Sequence, residues 1–186
     1  MIIKEVDYIN YLKHSGVKGM HWHHHKIKEL SPGIPKGSNI VKLKDYKGPI
    51  YFVSEVNMNT KTLSPRVPNN YFTKNRYEDG VTPRVCFAPS VDQCIMALSL
   101  KATNHKYYVH SPDNSIEHDV YKPNDKAVPD SKITDELWIK EPVKLKLVGE
   151  ILVIGDKGND GLPFKYGDKT AELYEWDYKW TKKVTN

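Results

Sequence analysis

Between Val81 and Leu100 the chain reads VTPRVCFAPSVDQCIMALSL, and the spacing of its apolar positions changes half-way. Arg84-Val85-Cys86-Phe87-Ala88 is a short β-prone run bounded by Pro83 and Pro89, which predicts a strand buried on both faces. Ser90 then stands where a helix N-cap is wanted, and Gln93 three residues on is placed to close a capping box. Val91, Cys94, Ile95 and Leu98 follow at i, i+3, i+4 and i+7, one face of a short helix. The predicted centre of the fold is therefore a buried strand that turns through Pro89-Ser90 into a helix packed back on the sheet.

Around this centre the pattern is mostly of period two. Ile50 to Val53 predicts a strand closed by Ser54-Glu55, and Lys106 to His110 predicts another, ended by a turn at Ser111 to Asn114. Leu137 and Ile139 alternate with Glu136, Trp138 and Lys140. After Pro142, the residues Val143, Leu145 and Leu147 alternate with Lys144 and Lys146, a strand with one wet face. Gly149 signals a bulge or a close backbone approach, and Ile151 to Ile154 reads as buried on both sides. Gly155 to Gly161 predicts a turn. Tyr174, Trp176, Tyr178 and Trp180 share one face of a last strand; docking on the core is the first reading of that row, and holding a ring or a peptide the second. Residues 57–83, with Glu78-Asp79-Gly80 near their end, read as a long surface loop of the kind that carries function, and Val120 to Ser131 as irregular. The whole predicts an α+β domain: a curved, mostly antiparallel sheet of about six strands with one or two short helices.

Charge divides the chain at residue 48. Residues 1–48 hold nine lysines against Glu5, Asp7, Glu29 and Asp45, whereas 49–186 hold nineteen basic and nineteen acidic residues. The net +5 thus belongs to a basic leader, and the domain offers no net field to a phosphate backbone, so no nucleic-acid partner is expected. Residues 1–48 are read as a His-rich leader and linker, and 49–186 as a single α+β domain. In the leader, Ile2, Val6, Ile9 and Leu12 fit one side of a short helix that Gly16 ends, and residues 26–48 are Lys/Pro/Gly/Ser-rich, as a linker is. No apolar run approaches the ~18 residues that span a bilayer, and the acidic residues of MIIKEVDYIN occupy the place of a signal peptide's apolar centre. Neither a membrane nor an export signal is expected. Cys86 and Cys94 both read as buried small hydrophobes in a reducing compartment.

Candidate chemistry is sparse. HExxH, P-loop, GxGxxG and GxSxG patterns are absent from the sequence. The segment KHSGVKGMHWHHHK carries five of the eight histidines, but no carboxylate or cysteine at ligand spacing completes a metal cage there, and no metal is expected. Within it, HSGVKGMHW resembles the H-x-G-x-K-G-M-x-W-G peptide that recurs in tailed-phage head-module proteins. His14, Gly16, Lys18, Gly19, Met20 and Trp22 match, and His23 stands in place of the final glycine. The resemblance implies phage or prophage origin, hence a place in the virion or in the host cytoplasm.

The order of segments in the domain is similar to that of small ADP-ribosyltransferases of the rifampin-modifying and RNA 2′-phosphotransferase type. Tyr51-Phe52-Val53-Ser54 occupies the place of their first strand, Tyr-His-Gly-Thr. Val85 to Ser90 with its helix occupies the second place, and Glu141-Pro142 followed by Val148-Gly149-Glu150-Ile151 the third. The resemblance implies a nucleotide ligand, NAD, contacted at Tyr51, Ser54 and Ser90. It also implies an acidic residue steering an oxocarbenium-like transition state, for which Glu136 is the candidate. Arg66 and Arg84 are suited to clamp a diphosphate through paired hydrogen bonds. The same residues also read as ordinary parts of a fold, Glu136 as an exposed strand residue and the arginines as surface ion-pair partners. Phe52 stands where that family has its ribose-binding histidine. Two functions therefore remain: a non-catalytic phage accessory module that binds a viral or host protein on this scaffold, or an active transferase directed at a host target, for instance in counter-defence.

Overall fold

A computed structural model describes residues 39–98, 104–113, 117–158 and 160–184. The helix expected over residues 2–12 and the histidine-rich peptide lie outside them. In chain order the elements are β1 (Ile40–Leu43), β2 (Phe52–Ser54), β3 (Thr62–Leu63), α1 (Tyr71–Lys74), β4 (Val85–Phe87), α2 (Val91–Met96), β5 (His105–Pro112), β6 (Val120–Pro123), α3 (Ser131–Thr134), β7 (Leu137–Ile139), β8 (Val143–Asp156), β9 (Leu162–Tyr166), β10 (Lys169–Leu173) and β11 (Trp176–Lys183). The class is α+β, with every strand pairing among the described residues antiparallel.

The strands divide between two sheets and a hairpin. One sheet has the order β1-β6-β7-β4, the other β11-β8-β5-β2 with β3 also on β8, and β9-β10 stands apart. Five of these strands, β1, β3, β6, β9 and β10, lie where the sequence indicates none. Ile40–Leu43, within the Lys/Pro/Gly/Ser-rich linker, pairs with β6, and β6 itself opens the stretch read as irregular. Both have four residues, β1 at the edge of its sheet and β6 between β1 and β7, and the exposed Val41, Lys42 and the Lys-Pro end of β6 blur their alternation. The β9-β10 hairpin turns through Gly167-Asp168, and Gly167, at φ +63°, takes the first central position of a two-residue turn, where glycine is favoured.

The sheets meet at one corner. Tyr51, just before β2, exchanges both backbone hydrogen bonds with Ala88, just after β4, at 2.8 and 3.1 Å. Val85 and Phe87 from one sheet and Phe52, Val143 and Leu145 from the other share a buried core. On the opposite side of the five-stranded sheet, Val91, Cys94 and Ile95 of α2 pack on Val53, Val109, Ile151 and Val153. Met96 of α2 also reaches a third cluster, in which Phe164, Tyr166 and Leu173 of the hairpin pack on Phe72 of α1.

β8 serves the first two cores because it carries a bulge. Gly149 pairs with Val109 but Leu147 pairs with His110, so Val148 is an inserted residue. Without it, Val143, Leu145, Ile151 and Val153, all odd-numbered, would face one side. The insertion turns the first pair toward one core and the second toward the other. Gly149 is also the site of close approach, since a Cβ there would collide with the Lys182 carbonyl oxygen and lie 2.8 Å from the Trp180 ring. Gly149→Ala is expected to cost about 1–3 kcal/mol, read as a lower midpoint in urea.

His110 on β5 is fully buried, and its Nε2 accepts the Met58 backbone N–H at 2.8 Å. Burial pushes its pKa down to about 4, with the Phe52 and Tyr108 backbone partly offsetting this. The folded protein thus binds a proton less readily than the unfolded chain, so His110's contribution is complete above about pH 6.5 and declines as pH falls toward 4. Stability is expected to drop by about 3 kcal/mol from this group over that window. His110→Gln, which retains an acceptor for Met58, should flatten that limb of the pH–stability curve.

Candidate functional site

Arg84, with Glu78 and Glu136 one of three charged groups among the described residues that are only 2% exposed, is the point on which the site is built. It immediately precedes β4, and its guanidinium lies over the Trp138 ring, 4.1 Å from the centroid. Cys86, two residues on, pairs directly with Trp138, so Arg84 reaches across to β7 along its own strand face. Nη2 makes a buried ion pair with Glu78 Oε1, and Nη1 donates to the Asp79 and Thr82 carbonyls at 2.9 and 3.1 Å. Asp79 Oδ1 stands 3.8 Å from Nη1.

The loop that supplies these partners is held by its own polar contacts. Asp79 Oδ1 accepts the Val81 and Thr82 N–H groups at 2.9 and 2.7 Å, and Oδ2 accepts the Thr82 hydroxyl at 2.9 Å. Burial works against the charge of Asp79, but these donors and Arg84 more than offset it and hold its carboxyl below the ordinary range. Glu78 Oε2 accepts from Asn70 Nδ2 at 3.3 Å, and Asn70 Oδ1 takes the Thr73 N–H and hydroxyl at the start of α1.

Glu136 enters the same cluster from the other side. α3 ends at Asp135, whose left-handed backbone (φ 51°) turns the chain so that Glu136 points inward. Glu136 is 2% exposed, and its Oε1 accepts the Trp138 indole N–H at 2.5 Å. Burial opposes the charge of Arg84; Cys86, Glu78, Glu136 and Asp79 together outweigh it and raise the pKa of the guanidinium. Ala127 and Val128 close the cluster over Trp138, and the Ala127 carbonyl accepts the Asp79 N–H at 2.7 Å.

The other candidates are placed as follows. Arg66 pairs with Arg84 through two backbone hydrogen bonds of 3.1 and 3.0 Å, is half-buried, and has its pKa lowered mainly by that burial. Ser90 is the N-cap of α2: its hydroxyl accepts the Gln93 N–H at 3.2 Å and donates to Gln93 Oε1 at 2.8 Å. Ser54 closes a local turn, donating to the Val56 carbonyl at 2.6 Å and accepting its N–H at 3.0 Å. Tyr51 packs partly buried on the α2 core, and its carbonyl also takes the Cys94 thiol at 3.2 Å. Full burial pushes the Cys94 pKa up to about 12, while Cys86 is only half-buried.

The structure therefore brings Arg66, Arg84 and Glu136 into one region and ties Tyr51 and Ser90 to α2, with Ser54 in its own turn. It corrects both plain alternatives for the charged residues. Glu136 is internal, not an exposed strand residue, and the ion pair of Arg84 is buried, not on the surface. Glu78, Asp79 and Trp138, missed in the sequence, complete the cluster. Glu78-Asp79-Gly80 read as loop punctuation, and the one available signal was the pair of acids lying just before a strand that opens with arginine. The chain matches no family model, no curated protein and no solved structure.

Two substitutions separate the members of this cluster. Arg84→Met leaves Glu78 buried without its cation and is expected to cost about 3–5 kcal/mol. Glu136→Gln keeps an acceptor for the Trp138 indole and should change stability by no more than about 1 kcal/mol. Urea unfolding of the two variants checks both values.

Proposed function

We propose that the chain is a phage accessory protein acting as a non-catalytic binding module for a viral or host protein, in the virion or the host cytoplasm. The observation that carries this reading is the state of Glu136. A carboxylate meant to steady a cation on a ribose must face the ligand, whereas this one is 2% exposed and accepts a hydrogen bond from an indole inside the fold. The remaining transferase candidates lean the same way. Arg84 spends its guanidinium on Glu78 and two carbonyls, Ser54 and Ser90 spend their hydroxyls locally, and Phe52 is a core residue, 4% exposed, in the place of the ribose-binding histidine. The HSGVKGMHW peptide supports the phage assignment.

NAD decides between this reading and the transferase. A ligand that binds only the folded state raises the melting temperature by mass action. Millimolar NAD is expected to leave the melting temperature unchanged and to release no nicotinamide. A clear upward shift, together with nicotinamide release that falls ~10²-fold in Glu136→Gln, would establish the transferase instead.

A further inference from the structure

β11 is an edge strand: among the described residues it pairs with β8 alone. Its first five residues, Trp176-Asp177-Tyr178-Lys179-Trp180, form a regular run. The irregularity beside Asp177 and Tyr178 is an extra residue on β8, Ile154, and the one on β11 is Thr181, beyond the run. Trp176, Tyr178 and Trp180 lean on the α2 core and remain partly exposed, while Asp177 and Lys179 face solvent. The rings are held in place. The Tyr178 hydroxyl donates to Asp92 Oδ2 of α2 at 3.2 Å, and the Tyr178 and Trp180 rings meet edge to face at 6.5 Å.

An edge of this length with three aromatic side chains is a template for another strand unless something blocks it. Lysine is the usual block, but here Lys179 has an opposite charge two residues away on the same face. The run is symmetric about Tyr178 in its aromatic residues and antisymmetric in its charges. We propose that β11 pairs antiparallel with β11 of a second copy of this chain, about a two-fold axis through Tyr178, joining the two five-stranded sheets edge to edge.

In that register Trp176 lies opposite Trp180 of the second copy, Tyr178 opposite Tyr178, and Asp177 opposite Lys179, with each unlike pair made twice by symmetry. Aromatic pairs and opposite charges are the cross-strand neighbours that stabilise a sheet. A slip of two residues keeps two of the three aromatic pairings but loses the Asp177–Lys179 pairs. It sets Asp177 against Asp177 or Lys179 against Lys179, and a slip of one sets aromatic rings against charges. The run therefore specifies its own alignment, and the occupant that fits it best is itself.

Sedimentation velocity on the full chain, from micromolar to near-millimolar concentration, tests the proposal. The wild type should dimerise reversibly. Lys179→Asp and Asp177→Lys each turn both charge pairs into like-charge pairs, and each should raise the dimer dissociation constant roughly ten- to hundredfold. Both side chains are exposed, so the melting temperature should not move. The double swap Asp177→Lys/Lys179→Asp restores both pairs and should return the constant to within about threefold of wild type. An equimolar mixture of the two single variants should form the heterodimer that neither forms alone. A wild type that stays monomeric throughout would overturn the proposal and leave this edge to a strand from a different chain. Dimerisation insensitive to either single variant, or a double swap as weak as the singles, would also overturn it.

Discussion

A buried guanidinium tolerates few arrangements of its neighbours, and Arg84 imposes its own on a large part of this domain. Leaving its charge without counter-charge in the interior would cost several kcal/mol. The loop that ends in Thr82 must therefore present Glu78 and two carbonyls to it. Trp138 must lie beneath it, and the Ala127–Val128 segment must close over Trp138. Strand, loop and cover are thus parts of one electrostatic arrangement. Three carboxylates surround one cation, so the cluster is tuned by geometry and by neutral donors, not by simple charge balance.

The second constraint is geometric. β8 is the longest strand and contributes apolar side chains to cores on both of its faces. A regular strand has one parity and two faces, so odd-numbered residues serve both cores only where the alternation is interrupted. Val148 supplies the interruption, and Gly149 permits β11 to come close beside it. The bulge and the glycine are one device, which increases local twist where two cores must share a strand.

What the sequence disclosed follows from how local the cause is. The central strand, the Ser90 cap, the apolar face of α2 and the close approach at Gly149 depend on a few neighbouring residues, and all are present in the structure. β1 and β6 were hidden because each is short and half-solvated, and their existence depends on a partner far along the chain. The division into two sheets was hidden for a similar reason: the inserted residue at Val148 leaves the odd-numbered alternation unbroken in the written sequence. Of the candidate site, the positions of Arg84 and Glu136 were legible as charged residues beside apolar strands. Their burial was not, because it depends on a stretch read as a surface loop, with Glu78 and Asp79, and on one read as irregular, with Ala127 and Val128.

The shared strand also has a kinetic meaning. Partial opening of a protein normally proceeds in semi-independent cooperative units. Here, withdrawing β8 from either core removes it from the other, so the two sheets and α2 belong to a single unit of exchange with solvent. Its assembly depends on distant segments meeting: Phe52 with His110, Leu63 with Val143, and Ile40 with Pro123. Loops of that length must close before any of these pairings is rewarded, which places the domain among slow folders. On the ribosome, β1 and β2 emerge well before the strands that complete their sheets, so the N-terminal strands pass through a period with unsatisfied edges while the rest of the chain is synthesised.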